Sequence, residues 1–517
     1  MKFRELLFLL SFPAVFILFA APAGAQQQCE NLVTTEIKNV TITAATSIKP
    51  PWEVPSSSGM FGTPQGQTVK VPFCRVEGFS KPVSESRIGF EVWLPEADNW
   101  NERYLAVGNP GFSGSIARGA LAGIVAKGYA TASTDTGHVD EGYDWAIAHP
   151  ERLVDWGHRA VHETAVAAKK LIESYYGKPA QHSYWNSCHN GGNQGLNEAQ
   201  RYPKDFDGIV AGDPAYYVSR LQAGSLYIGW VSLKDGIKAP AYIPPGKYPA
   251  IHKAALAACD GNDGLIDGII EDPTRCKFDP KTLLCPTGTD NDSCLTAVQV
   301  ETAKKIYEGA KFADGKQIYS GFEPGSELGW GMMAAGPEPL GINAGYFRGI
   351  VYQIPDWDFR TFNVDRDTRL AEQRTGEAVD AISTDLDEFR DNGGKLIIYQ
   401  SWNETAVPPR MITEYYKGVI DDMGGLEKTK EFARLFMVPG MGMCPGFFNA
   451  EDFNTLEAIQ LWVEDDITPD ILIATHSDEK NKQTRTRLVC SYPNISRYTG
   501  SGDPNEAANF TCITPKK

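Results

Sequence analysis

The 517-residue chain reads as an α/β protein, with a mostly parallel sheet covered by helices on both faces and one long insertion. Three observations predict this. Strand-like runs at Arg103 to Gly108, Gly128 to Ser133, Ile209 to Gly212, Lys395 to Tyr399 and Leu435 to Pro439 alternate with helical stretches. A helix is predicted from about His158 to Tyr176, since Val161, Ala165, Ala168, Ile172 and Tyr175 fall on one face and Gly177 ends it. Between about Tyr216 and Ser383 the pattern changes to loops rich in Gly, Pro and aromatics.

The first element carries targeting information. Lys2 and Arg4, the apolar stretch Leu6 to Ala21 and the sequence Ala23-Gly24-Ala25 describe a signal peptide over residues 1–25, too short for a membrane span. An exported, secreted protein is therefore expected. Ten cysteines, an even number, should pair in that compartment. Asn39, Asn291, Asn403, Asn494 and Asn509 begin glycosylation sequons. A net charge of −16 argues against nucleic acid or an anionic membrane as partner.

The strand Arg103 to Gly108 runs into the glycine-rich turn Gly108-Asn109-Pro110-Gly111-Phe112-Ser113-Gly114. At the start of the 158–176 helix, His158, Arg159, His162 and Glu163 read as a solvated first turn. A short strand end at Tyr184-Trp185 then enters a turn punctuated by Gly191 and Gly192, and a helix continues through Leu196 and Ala199. Small residues there allow a sharp reversal that brings backbone N–H groups near a reacting oxygen.

Within the insertion, Trp230, Tyr242, Tyr248, Trp330, Tyr346, Phe347, Tyr352 and Trp357 read mostly as core rings, with a few facing a ligand. Cys259 to Pro273 alternates carboxylates with glycines, supplying hard oxygen ligands and tight turns as calcium requires. It lacks the terminal glutamate of an EF-hand at the right spacing. No phosphate loop, dinucleotide fingerprint or internal repeat appears, so no organic cofactor is expected.

The segment Tyr184 to Ala215 resembles the nucleophile elbow of the tannase and feruloyl esterase family. That pattern is Trp-x-Gly-Cys-Ser-x-Gly-Gly-Arg-Gln-Gly, followed by Ala-Gln-Arg-Tyr-Pro-x-Asp-Phe-Asp-Gly. Cys188, Gly191, Gly192, Gln194, Gly195, Ala199 to Pro203 and Asp205 to Gly208 match, while Ser187 replaces a glycine and Asn193 the arginine. His189 stands at the nucleophile position. Gln400 to Pro409 is similar to the stretch that carries the family's acid, which places Glu404 there, and Arg434 to Cys444 to the stretch that carries its histidine, which places Met443 there. The likeness extends from about Cys29 to Cys512.

The resemblance implies an alpha/beta hydrolase core over residues 26–215 and 384–517 and a lid domain over 216–383 that carries a calcium loop. It implies an oxyanion hole at the backbone N–H groups of Gly111 and Asn190. Structural calcium would be held by Asp260, Asp263 and Asp267 with the backbone oxygens of Leu265 and Ile269. The implied disulfides are Cys29 with Cys74, Cys188 with Cys444, Cys259 with Cys276, Cys285 with Cys294, and Cys490 with Cys512. The second would set His189 beside Met443, because a disulfide holds its alpha carbons within about 7 Å. A planar phenolic or aromatic small molecule is the implied ligand. Asn403 adjoins the acid position, so a glycan there would crowd the cleft and none is expected.

A thioether takes up no proton, so Met443 removes the family's general base. Glutamate at 404 is compatible with the acid's role. Ser187 reads as a small residue packed under the elbow, since sliding the nucleophile back two residues would leave the tip of the turn. His189 reads equally as a proton shuttle beside a carboxylate and as a hydrogen-bonded histidine at a pocket mouth. Three functions follow. The replaced triad favours, narrowly, a non-hydrolytic isomerase, lyase or cyclase of secondary metabolism using His189 and Glu404. A ligand-binding pseudoenzyme comes second, and a carboxylic ester hydrolase with an atypical site third.

Overall fold

The computed structural model describes residues 28–56, 63–139, 142–444, 451–477 and 482–515. The expected signal peptide over 1–25 lies outside them. No helix among the described residues is long and apolar enough to cross a membrane.

A nine-stranded sheet organises the chain. Its strands are β1 (Val40–Ile48), β2 (Phe73–Ser80), β3 (Ile88–Pro95), β4 (Arg103–Ala106), β5 (Ala130–Thr134), β6 (His182–Cys188), β7 (Gly208–Gly212), β8 (Lys395–Ser401) and β9 (Ala433–Val438). Their spatial order is β1-β2-β3-β5-β4-β6-β7-β8-β9. From β5 to β9 all neighbours are parallel, whereas β1, β2 and β3 are antiparallel to each other and β3 is antiparallel to β5. Every residue of β7 is buried, as a strand covered on both faces requires. The five predicted strands are thus five of the six parallel ones, the sixth being β6, whose end was expected at Tyr184-Trp185, and the three antiparallel strands extend the sheet beyond them.

Helix α1 (Ala160–Tyr176) buries Val161, Ala165, Ala168, Ile172 and Tyr175 and stops at Gly177, whose φ of 69° suits a residue without a side chain. It is entered through a π-helical turn at Asp155–Arg159. Its first turns are half-buried and paired, where the sequence reading expected a solvated start. His158 Nδ1 lies 2.7 Å from Tyr202 Oη, and His162 Nδ1 lies 2.6 Å from Asp205 Oδ2. Arg159 donates to Asp155, Glu151 and Ser86. Burial, assisted by Arg201 and Arg159, pushes His158 down to about 4.

Residues 216–383 contain more helix than expected, including α3 (Val218–Leu233) and the runs Tyr248–Cys259, Ala297–Glu308 and Val364–Val379. Helix α3 is buried on nearly all sides and packs against the apolar clusters around Tyr346 and Trp330. At the C-terminal end, β10 (Ile471–Ser477) and β11 (Gln483–Cys490) form an antiparallel pair. All five expected disulfides are present. Asn39 and Asn291 are exposed, while Asn403, Asn494 and Asn509 are half-buried.

Candidate active site

Parallel strands end on the same edge of a sheet, so residues that follow β6, β7, β8 and β9 converge there. That edge brings together His189 after Cys188, Asp213 after Gly212, Glu404 after Ser401 and Met443 after Val438. The register is tight, with Cys188 opposite Gly212 and Gly212 opposite Tyr399. The Cys188–Cys444 disulfide, with alpha carbons 6.1 Å apart, ties the ends of β6 and β9.

His189 occupies the tip of the turn between β6 and α2 (Asn190–Arg201) at φ 56° and ψ −115°. A non-glycine residue there costs about 1–3 kcal/mol and persists only where its surroundings impose it. Those surroundings are close-packed glycines. A Cβ on Gly192 would stand 2.3 Å from the Gly212 carbonyl oxygen, and one on Gly191 would stand 2.0 Å from Ser187 Oγ. Ser187 indeed lies under the elbow, accepting the Gly108 N–H at 3.2 Å.

The His189 imidazole Nε2 lies 2.9 Å from Glu404 Oε2. Glu404 is fully buried, and its other oxygen accepts the Ala406 N–H at 2.5 Å. Burial pulls the His189 pKa down, but the Glu404 carboxylate outweighs it through charge and hydrogen bond, and the net shift is upward. Asp213 completes the group, its ligand atom within 4.8 Å of those of His189 and Glu404. It too sits at positive φ, 36°, and accepts the Ser401 N–H at 2.7 Å and hydroxyl at 3.0 Å. Burial first, and the Glu404 charge second, push Asp213 up to about 7. Sequence reading missed Asp213. Its position just after the strand Ile209 to Gly212 was the available signal.

His189, Asn190, Gly111 and Met443 line one cavity of about 480 Å³, whose wall is chiefly apolar. Neither Gly111 nor Asn190 donates its backbone N–H to any acceptor among the described residues. Gly111 has φ 52°, which suits glycine. The cavity's rings are Phe112, Tyr143 and Trp156, with Phe112 stacked on Trp156 at 4.4 Å. All three precede the insertion, and none of the eight insertion aromatics singled out in the sequence lines this cavity. The insertion contributes instead Val218, Leu221, Gln222, Met332, Met333 and the 340–343 segment. A second cavity of about 970 Å³ shares Met332, Leu340 and Met443 with the first and is lined by polar groups including Asn403, Thr405, Thr484 and Asn505.

The acidic loop is stapled by Cys259–Cys276. Asp260 accepts the backbone N–H groups of Asp267 and Gly268, Asp263 that of Leu265, and Asp267 that of Ile269. Asp263 Oδ2 and Asp267 Oδ2 are buried without a hydrogen-bond partner, and Arg487 Nη2 of β11 approaches Asp267 Oδ2 to 3.1 Å.

A family model described as "Tannase and feruloyl esterase" matches residues 74–513. A Xanthomonas campestris protein named as an uncharacterised esterase is 34% identical over 95% of this chain and 92% of its own length. A probable feruloyl esterase from Aspergillus oryzae is 31% identical over 86% and 87%. The crystal structure of feruloyl esterase B from Aspergillus oryzae superposes with a TM-score of 0.86 at 26% identity, covering 94% of this chain and all of that one. These names support a hydrolase with the alpha/beta architecture expected from the sequence. With a matching family model over most of its length and relatives above 30% identity, the chain belongs to the tannase and feruloyl esterase family.

Proposed function

We propose that the protein is a carboxylic ester hydrolase in which the His189–Glu404 pair replaces the family's serine, histidine and acid. The observation that carries this reading is the 2.9 Å contact between the two at the tip of the elbow, beside two uncommitted backbone N–H groups. A carboxylate only accepts, so Nε2 of His189 carries the proton and Nδ1 keeps its lone pair. Nδ1 takes a proton from water as the water oxygen bonds to the acyl carbon. The carbonyl oxygen becomes an oxyanion facing the N–H groups of Gly111 and Asn190. On collapse the bond to the alcohol oxygen breaks, and the imidazolium returns its proton to that oxygen. Glu404 stabilises the imidazolium in between.

Met443 takes no part in proton transfer and fills the wall between the two cavities. The apolar cavity with its three rings suits a flat aromatic acyl group, and the second cavity, with polar side chains among its lining, suits the alcohol. Asn403 lines that second cavity, consistent with its remaining unglycosylated. The non-hydrolytic and ligand-binding alternatives, which the replaced triad positions favoured, find no support in relatives that are named as esterases. Purified protein should hydrolyse methyl hydroxycinnamates or methyl gallate, and His189→Ala should lose that activity. Equal hydrolysis by the variant would sink this mechanism.

The loop around Asp263 is proposed to hold structural calcium. Asp263 Oδ2 is buried without a hydrogen-bond partner and stands in a cluster of three carboxylates that Arg487 meets only at Asp267, so the loop fits a hard cation. Asp260, Asp263 and Asp267 with the carbonyl oxygens of Leu265 and Ile269 would hold it. A chelator should then lower Tm, and Asp263→Asn should blunt that response. An unchanged Tm with chelator would remove the metal from the account. Export through a signal peptide is likewise proposed, supported by five disulfides in one chain.

A further inference from the structure

Three ligating side chains meet behind the elbow. The His189 imidazole and the Asp213 and Glu404 carboxylates each bring one ligand atom to within 4.8 Å of the others. His189 Nε2 and Glu404 Oε2 are 2.9 Å apart. An ion bonded at about 2.0–2.2 Å holds its ligand atoms roughly 3–4.4 Å from one another, so this spacing is close to what one ion imposes. The backbone fixes two of the three, since His189 and Asp213 both sit at positive φ just past the paired ends of β6 and β7. Hydrogen bonds from behind orient the carboxylates, as the partners of metal ligands do. The Ser401 N–H and hydroxyl hold Asp213, and the Ala406 N–H holds Glu404.

Charge argues the same way. Asp213 and Glu404 are fully buried, and the one ion pair that either makes among the described residues is that of Glu404 with His189. With both carboxyl groups ionised and the imidazole neutral, the cluster carries two negative charges out of water, which a divalent cation cancels. One imidazole nitrogen with two carboxylate oxygens suits zinc and its neighbours in the first transition series. Calcium takes oxygen ligands alone, the set that the acidic loop offers.

We infer that His189, Asp213 and Glu404 form a binding site for a divalent transition-metal ion of the zinc type, and that this ion competes with the Nε2 proton and switches hydrolysis off. The second half rests on reading His189 as the base. Of the three residues, only His189 lines the apolar cavity. That cavity gives the imidazole room to swing out as the ion enters. Once bound, the ion lies on the Nε2 side of the ring, behind the cavity wall, and presents no water to the acyl carbon. The proton displaced from Nε2 moves to Nδ1 of the neutral imidazole, and Nδ1 then has no lone pair with which to accept a proton from water.

The test is a calorimetric titration of tag-free protein with zinc chloride, in excess calcium so that the acidic loop does not take the zinc. One ion per chain should bind tightly, and His189→Ala and Asp213→Asn should each weaken it by about 10-fold or more. Either variant serves should the other fail to fold. Saturating zinc should abolish hydrolysis of a methyl hydroxycinnamate by the wild type, and a chelator selective for zinc over calcium should restore it. Absence of zinc binding, binding of undiminished strength in a folded variant, or full activity with zinc bound would overturn the inference. Hydrolysis by a protein that binds no zinc would defeat this site and leave the hydrolase reading standing. Zinc binding that both variants weaken, in a protein that hydrolyses no ester, would establish the site and defeat the hydrolase reading.

Discussion

Glutamate is one methylene longer than the aspartate of the family pattern, and imidazole is longer than a serine hydroxyl. Together they close the gap that Met443 leaves, and Glu404 Oε2 meets His189 Nε2 directly. The base must be neutral to act, and Glu404 raises its pKa, so activity should fall on the acid side as pH drops through that raised value. Glu404→Gln removes the charge that raises it. The acid limb of kcat/KM should therefore move to lower pH, with the rate at neutral pH down by roughly 10²–10⁴-fold, because the Ala406 N–H claims the amide oxygen, the NH2 then faces Nε2 and the imidazole is held in the wrong tautomer. A pH–rate profile of the variant checks both effects. His189, Glu404 and Met443 were legible because the motifs around them survive. Asp213 was not, because no motif reading assigned a role to the residue after that strand, and only the fold sets it beside the other two carboxyl and imidazole groups.

The turn from β6 into α2 works because glycines let backbones and side chains approach. Gly191→Ala would set a Cβ 2.0 Å from Ser187 Oγ and 2.5 Å from its Cβ, an overpacking expected to cost about 1–3 kcal/mol. Adding Ser187→Gly removes those atoms and should recover most of the loss in denaturant unfolding, although each position differs from the other by four residues in sequence. The parallel strands were legible as short apolar runs, and α1 as a one-sided stripe. Helix α3 was not, since burial on nearly all sides erases the 3.6-residue alternation that announces a surface helix. Strand β1 was missed although its sequence, VTITAATSI, is rich in β-branched residues, because it is largely exposed at the sheet edge and carries little apolar alternation. The aromatic lining was misplaced for a related reason. Ring content marks the insertion, whereas the rings that reach the cavity come from the turns after β4 and β5 and from the approach to α1.

At the scale of the whole molecule, several buried carboxyl groups hold protons more tightly than they would in the unfolded chain. Burial is the first cause in each case, with Asp135 pushed up to about 7, Asp213 to about 7 and Asp380 to about 6. The folded state then binds more protons than the unfolded one between the ordinary carboxylate range and those values. Each group's contribution is therefore fully present below about pH 4 and falls by about 1.4 kcal/mol per pH unit as pH rises toward the folded value. Tm should decline from mildly acidic to neutral pH, and Asp135→Asn should flatten that slope in calorimetric scans.

Family membership and the nine-stranded architecture leave the chemistry to be decided at His189. The direct measurement is kcat/KM for a panel of methyl hydroxycinnamate and gallate esters with the wild-type protein, His189→Ala and the triple variant His189→Ser, Glu404→Asp, Met443→His. The wild type is predicted to hydrolyse at least one ester, with the activity lost in His189→Ala. Silence of the wild type across the panel, with hydrolysis only in the triple variant, would contradict an esterase built on the His189–Glu404 pair.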